Sequence, residues 1–303
     1  METVELQRTI RKLLAERNAL LLVHYYQRSE IQEIADILGD SLALSVEAAR
    51  THADTLVFAG VHFMAESAAI LSPGKTVLLP RLDAGCPLAD TITREQLEAA
   101  KRQYPRAKVV TYINSSAAVK AASDICCTSA NAIKIVASLT KADEVLMVPD
   151  GNLARWVARG TAKRVIPWEG FCPVHHYLSA ATVDATKVRH PQAPLAAHPE
   201  CTLEVLARAD FVGSTAAILK FARALNAEEL IIATETGIMA QLQRENPSKT
   251  FIPAGPNLVC RTMKLITLED VLHSLTDMHH VITVPEAVAA PARLALERML
   301  QVS

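Results

Sequence analysis

The sequence predicts an α/β fold built from three related domains, each a small four-stranded parallel sheet with helices on both faces. Three observations carry that prediction. Short aliphatic runs alternate with helical patterns along the chain, the pattern expected of βαβ units. The alternation occurs three times. Three of the six cysteines, Cys86, Cys172 and Cys260, stand 86 and 88 residues apart.

Taken in order, METVELQRTIRKLLAERNALLLV reads as an amphipathic helix running into a strand. The first copy continues as LLLVHYY, EIQEIADIL, LALSVEAAR, TLVFAG, FMAESAAIL and KTVLLP. The second reads KVVTYI, AAVKAAS, DICCTS, ANAIKIVASL, EVLMVPDG, NLARWVARG and RVIPW. The third reads PLAAH, TLEVLARA, DFVGS, AAILKFARAL, LIIATETG, IMAQLQREN and TFIPAG. A chain of 303 residues divides into three units of about a hundred, a usual domain size. We set them at 18–106, 107–191 and 192–266, with an N-terminal helix over 1–17 and C-terminal helices over 267–303 packed on the assembly.

Half the residues are hydrophobic, which excludes disorder. With 31 Lys and Arg against 32 Asp and Glu, the net charge of -1 argues against a nucleic-acid or membrane-surface partner. The apolar run ALLLV, residues 19–23, is too short to cross a bilayer, and no basic region precedes a long apolar stretch. The expected compartment is the reducing cytoplasm, where spaced cysteines serve metals or catalysis more often than disulfides.

The copies align on His24, Tyr112 and His198 as ends of the first strand. Twelve residues on stand Asp36, Asp124 and Asp210; seventeen on stand Ser41, Ser129 and Thr215. Gly60, Gly151 and Gly237 follow the third strand, and Pro80, Pro167 and Pro253 end the fourth. The three cysteines come five to seven residues later. Ligands of open parallel sheets gather at the carboxyl ends of strands. There the sequence puts His24-Tyr25-Tyr26, Tyr112-Ile113-Asn114 and His198-Pro199-Glu200, polar where a buried strand favours hydrophobes. Taken singly, such histidines read as satisfied core residues, and Glu200 as a helix cap. Ser41, Ser129 and Thr215 read equally as N-caps or as anion sites at helix N-termini.

Three thiolates converging from three domains suit a metal, with zinc, Cu(I) and iron–sulfur all compatible with the ligand type. Three protein ligands leave one position open, the pattern of a catalytic centre. Cys126 and Cys127 read as buried strand residues. Cys201, at a helix start, reads as packing, with a dipole-lowered reactive thiol as the alternative.

Several stretches resemble the quinolinate synthase family: HYYQRSEIQEIADILGDSL (24–42), FAGVHFMAESAAIL (58–71), YINSSAAVKAASD (112–124), TSANA (128–132), HPEC (198–201), GSTAAILK (213–220) and the closing ITLEDVLHSLTDM. The resemblance covers essentially the whole chain. It implies three stacked αβα domains about a pseudo-threefold axis with the active site at the centre. It also implies an enzyme of NAD biosynthesis, condensing iminoaspartate with dihydroxyacetone phosphate to quinolinate, phosphate and two waters. It implies a [4Fe–4S] cluster held by Cys86, Cys172 and Cys260, with one open iron as Lewis acid. By position, His24, Ser41, Tyr112, Ile113, Asn114, Ser129, His198, Pro199, Glu200, Ser214 and Thr215 match substrate-binding segments, and Glu200, Tyr26 and His175 match catalytic residues. Implied too is transient contact with the L-aspartate oxidase that supplies iminoaspartate. Some members carry a C-x-x-C-x-x-C run at the third ligand; here CRTMKLIT offers Cys260 alone. The competing readings from the residues themselves are a zinc-dependent hydrolase or lyase and a non-enzymatic metal-sensing module.

Overall fold

A computed structural model describes residues 2–302; Met1 and Ser303, the ends of the 1–17 and 267–303 segments, lie outside the described residues. Three four-stranded sheets follow one another, every strand pair parallel. The first holds β1 (Ala19–His24), β2 (Ile37–Gly39), β3 (Thr55–Ala59) and β4 (Thr76–Leu78), in the order β2-β1-β3-β4. The second holds β5 (Lys108–Tyr112), β6 (Ile125–Cys127), β7 (Glu144–Val148) and β8 (Arg164–Pro167), ordered β6-β5-β7-β8. The third holds β9 (Leu195–Ala197), β10 (Phe211–Val212), β11 (Glu229–Ala233) and β12 (Thr250–Pro253), ordered β10-β9-β11-β12. The fold is the α/β architecture of three αβα units that the alternation predicts. The strand order reverses beside the first strand of each sheet, so the turn after that strand opens a ligand crevice.

The repeated aspartates are structural. Asp36, Asp124 and Asp210 each accept the backbone N–H of a residue in the first strand of their sheet, Leu21, Val109 and Leu195, at 2.7–2.8 Å. Each also donates its own N–H to the same residue's carbonyl. The aspartate thus latches the entry to the second strand onto the first. A further set escaped the sequence reading. Lys75, Lys163 and Lys249 all stand 51 residues past His24, Tyr112 and His198, and each ammonium donates to carbonyls at or just past the end of the helix that joins the second and third strands of its sheet. Cationic donors there satisfy carbonyls that the helix leaves unpaired.

The domains interlock as a ring. Leu97 and Ala100 of the helix Arg94–Gln103, which lies within 18–106, pack with Val109, Leu146 and Val148 of the second sheet. Val183 of the helix Ala180–Arg189, within 107–191, packs with Leu195 and Ile231 of the third. The helix Leu268–Asp277 returns to β3 and to the N-terminal helix Thr3–Glu16, whose Leu6, Ile10 and Leu14 are buried at helical spacing. Each helix that follows a cysteine loop therefore leaves its own sheet for the next. This exchange points all three cysteine loops at the common centre.

Candidate active site

At that centre lies a cavity lined by all three domains. The first contributes His24, Tyr26, Ser41 and Cys86; the second Tyr112, Asn114, Ser129, Cys172 and His175; the third His198, Glu200, Thr215 and Cys260. Three residues of the implied binding segments do not line it. Ile113 and Pro199 are buried in the turns, and the Ser214 hydroxyl accepts the Ala217 N–H as the cap of the helix Thr215–Ala224.

The capping expectation is corrected in register. The caps are Asp40 and Ser214, so Ser41 and Thr215 are the first helical residues. Ser129 precedes the helix Ala132–Ser138, whose entry is tied by Asn131 Oδ1 accepting the Thr128 N–H at 2.7 Å. The three hydroxyls are thereby released from capping and face the cavity. The helix ends are not equivalent, because a carboxylate (Asp40) already occupies the first and a neutral hydroxyl (Ser214) the third.

Hydrogen bonds order the interior. His24 Nδ1 accepts the Tyr26 N–H at 3.1 Å, and His198 Nδ1 accepts the Glu200 N–H at 3.3 Å. Both rings therefore carry their proton on Nε2; that of His198 donates to Ser129 Oγ at 3.1 Å. His175 Nδ1 lies 2.7 Å from Glu200 Oε2 and 3.2 Å from Cys172 Sγ. Its Nε2 meets Thr234 Oγ1 at 2.9 Å, and Thr234 Oγ1 meets the Tyr26 hydroxyl at 2.7 Å. Tyr26 also contacts Thr215 Oγ1 at 2.9 Å.

Burial alone would raise the Glu200 carboxyl, but the His175 and His198 rings and hydrogen bonds from His175 and Tyr112 outweigh it and hold it at about 2. It is a carboxylate. Burial and the Glu200 charge push the Tyr26 and Tyr112 phenols well above the usual tyrosine range. Burial, first of all, pushes His24 and His198 down to about 3. Between about 3 and 6.5 the unfolded chain then binds protons that the folded chain refuses, so stability is lost as pH is lowered through that window, by ~1.4 kcal/mol per pH unit for each histidine. Glu200 adds a loss of the same sign below 4.5. We expect denaturant midpoints to hold above pH 7 and drop steeply from 6.5 to 4.5; a flat profile would contradict neutral buried rings.

The three cysteines are free thiols, pushed up by burial, Cys86 to about 12. Mutual repulsion among the three adds to the rise at Cys86 and Cys172. Among the described residues, the donor group compact enough for a single ion is Cys172, His175 and Glu200, with ligand atoms within 4.8 Å of one another. The cysteine trio does not form such a group. Around one zinc, with bonds of ~2.3 Å, three thiolates would sit roughly 4 Å apart. The 2.7 Å between His175 Nδ1 and Glu200 Oε2 is a hydrogen-bond length, shorter than the ~3.3 Å edge between two zinc ligands. A proton, not a metal, joins that pair. No Lys or Arg lines the cavity, while Asp40, Glu200 and Glu235 do. A cationic centre between the thiols relieves both imbalances, so the donor set suits a metal cofactor.

Asp150 and Glu235 had no place in the sequence reading. Asp150 Oδ2 accepts the Cys172 N–H at 3.3 Å, and Glu235 Oε1 the Cys260 N–H at 3.1 Å. Each stands just before a marker glycine, which was the available signal. Gly237 itself is needed for close approach: a Cβ there would fall 2.7 Å from the Tyr26 backbone carbon and 2.6 Å from Lys264 Nζ. Lys264 donates to the Tyr26 carbonyl and pairs with Glu235 at 3.3 Å, joining the third cysteine loop to the first-domain turn. Cys201 is buried, its thiol raised by burial and directed at the Ala233 carbonyl, which removes the reactive alternative.

Comparison with known proteins agrees with this arrangement. A protein-family model described as "Quinolinate synthetase A protein" matches residues 8–301. A quinolinate synthase of Geotalea uraniireducens is 55% identical over 298 residues, 98% of each chain. One of Geobacter metallireducens is 54% identical over 302 residues, covering 100% of this chain and 99% of its own. The quinolinate synthase 1 of Methanosarcina acetivorans is 52% identical over 302 residues, with the same coverage. With its threefold ring, central cavity and three thiols in place, the chain belongs to the quinolinate synthetase A family.

Proposed function

We propose that the protein is a quinolinate synthase, condensing iminoaspartate with dihydroxyacetone phosphate to quinolinate, phosphate and two waters. The observation that carries this reading is one cavity receiving a thiol from each of three domains beside the Glu200–His175 pair. We propose further that Cys86, Cys172 and Cys260 hold a [4Fe–4S] cluster with one iron free of protein ligands. When bound, such a centre supplies a Lewis acid toward a substrate oxygen. The spread of the thiols beyond a single-ion set favours it over zinc.

The protein's own groups divide the remaining work. Glu200, ionised and fixed by His175 and Tyr112, is the base for the proton abstractions. Tyr26, kept a phenol by burial, is the proton donor on the facing side. Thr215 at its neutral helix end, with Ser129 and Ser41, holds carboxylate or phosphate through hydroxyls and free N–H groups. Asn114 lines the cavity, and its buried Oδ1 lacks a protein partner, which suits a ligand donor. His24, Tyr112 and His198 complete the polar wall, with the backbone of Ile113, Pro199 and Ser214 shaping it. No helix among the described residues is long and apolar enough to cross a membrane. We place the reaction in the cytoplasm, where thiols stay reduced, with iminoaspartate handed over by transient contact with L-aspartate oxidase. The test is anaerobic incubation of iron-loaded protein with both substrates, followed by mass spectrometry. Quinolinate is expected; iron-loaded protein that forms none would overturn the reading.

A further inference from the structure

The turn after the first strand of each sheet carries residues that face the cavity, and each turn is tied to the helix after the third strand of the preceding domain around the ring. After β5, Lys120 makes the tie. Its side chain is fully buried, and its ammonium protons go to Ser115 O at 2.7 Å, Ser67 Oγ at 2.9 Å and Phe63 O at 3.4 Å. Ser115 closes the turn that bears Tyr112 and Asn114, its hydroxyl donating to the Tyr112 carbonyl at 3.0 Å. Phe63 and Ser67 belong to the first-domain helix His62–Leu71, and Phe63 also lines the cavity.

After β1, Gln32 makes the same tie. Lys120 stands eight residues past Tyr112, and Gln32 eight past His24. Each donates to the carbonyl five residues before it, Ser115 or Gln27. Gln32 also shares its amide protons with the Tyr25 carbonyl at 2.9 Å and, across the junction, with the Gly237 carbonyl of the third domain at 2.9 Å. The Arg244 guanidinium fixes the amide by donating to its Oε1 at 3.0 Å. The third domain departs from the pattern. Its equivalent residue is Leu206, buried and without a donor, and the tie runs the other way, from Asn152 of the second domain to the Glu200 carbonyl at 3.0 Å.

We propose that Lys120 and Gln32 are positioning residues, two equivalent clasps that set how the substrate-facing turns sit against the neighbouring domain. The inference rests on the roles proposed above for Asn114, Tyr112 and Tyr26. Packing alone does not account for Lys120. Leu206 shows that the position accepts an apolar chain in this fold, and burying an ammonium is costly unless its protons are placed. What the ammonium adds is direction: it fixes the Ser115 carbonyl, and with it Tyr112 and Asn114, against the helix that bears Phe63. A second contact at the same junction, Glu66 Oε2 accepting the Ala117 N–H at 3.0 Å, stays when the clasp is removed, so the turn loosens before the domains part. The two turns do different work. The Lys120 turn carries groups that bind, and the Gln32 turn carries Tyr26, the proton donor. Their loss therefore registers in different kinetic constants.

The test compares Lys120→Met, Lys120→Gln and Gln32→Leu in anaerobically purified holoenzyme of matched iron content. It reads kcat, KM, quinolinate binding by calorimetry, and melting temperature. Met removes the donors; Gln carries the donor that serves at the equivalent place in the first domain; Leu copies the third domain. Lys120→Met is expected to raise KM and the quinolinate Kd ~10-fold with kcat changed less than about threefold, and Lys120→Gln to return both to within about threefold of wild type. Gln32→Leu is expected to lower kcat ~10-fold with KM changed less than about threefold. Because Lys120 acts through its turn, Lys120→Met added to Asn114→Ala should cost less in binding than the product of the two single losses. Wild-type binding in Lys120→Met, no recovery in Lys120→Gln, or losses in kcat and KM that run in parallel with melting temperature in both clasps would overturn the inference while leaving the quinolinate reading intact. Should Lys120→Met not fold, Lys120→Gln and Gln32→Leu decide by the same split. Wild-type binding in Asn114→Ala would remove the proposed role of Asn114, and the inference with it. Wild-type protein that neither forms nor binds quinolinate would instead overturn the function proposed above.

Discussion

Glu200→Gln should lower quinolinate formation ~10²- to 10⁴-fold while leaving iron content unchanged. The side chain is buried and matched in shape by glutamine, and the amide oxygen still accepts from His175 and Tyr112. What disappears is the negative charge that orders the His175 proton and that takes protons from substrate. Glutamine fills the same buried volume and keeps the acceptor, so the chain should stay folded, with a melting temperature lowered by the lost charge pairing with His175. The measurement is turnover alongside iron determination on the same preparation. Near-normal turnover would remove Glu200 from the mechanism; loss of iron would instead make it part of the metal site.

Replacing any one of Cys86, Cys172 or Cys260 by alanine should remove both the metal centre and turnover, leaving a folded chain. Each thiol comes from a different domain, so no neighbouring cysteine can substitute. Cys126 and Cys127 point into the packing of β6, and Cys201 is directed at the Ala233 carbonyl. Cys201→Ala is therefore the matched control and should keep iron and activity. Iron and sulfide analysis, together with absorbance, separates the two groups. Retention of a full complement of iron by Cys86→Ala would show that the three thiols do not act together.

The repeat was legible because its markers are tied to backbone geometry. Asp36, Asp124 and Asp210 sit at a fixed offset because each latches two strands together, and the terminal prolines close the fourth strands. Lys75, Lys163 and Lys249 obey an equally strict offset but look like ordinary surface charges until their ammonium groups are seen on helix carbonyls. The helix exchange between domains was invisible, because periodicity reveals which face of a helix is apolar and not which sheet receives it. The same limit hid Thr234, Asp150 and Glu235, whose partners lie in other domains or other loops. The ionised state of Glu200 was hidden for a related reason: the histidines that oppose burial are brought to it by the fold.

The central claim is that three domains each deliver one thiol to a single polynuclear centre at the heart of the ring. Iron, sulfide and zinc determination on anaerobically purified wild-type protein tests it most directly. The account predicts a brown protein with broad absorbance near ~400 nm and about four irons per chain. A colourless protein carrying stoichiometric zinc after the same handling would contradict it.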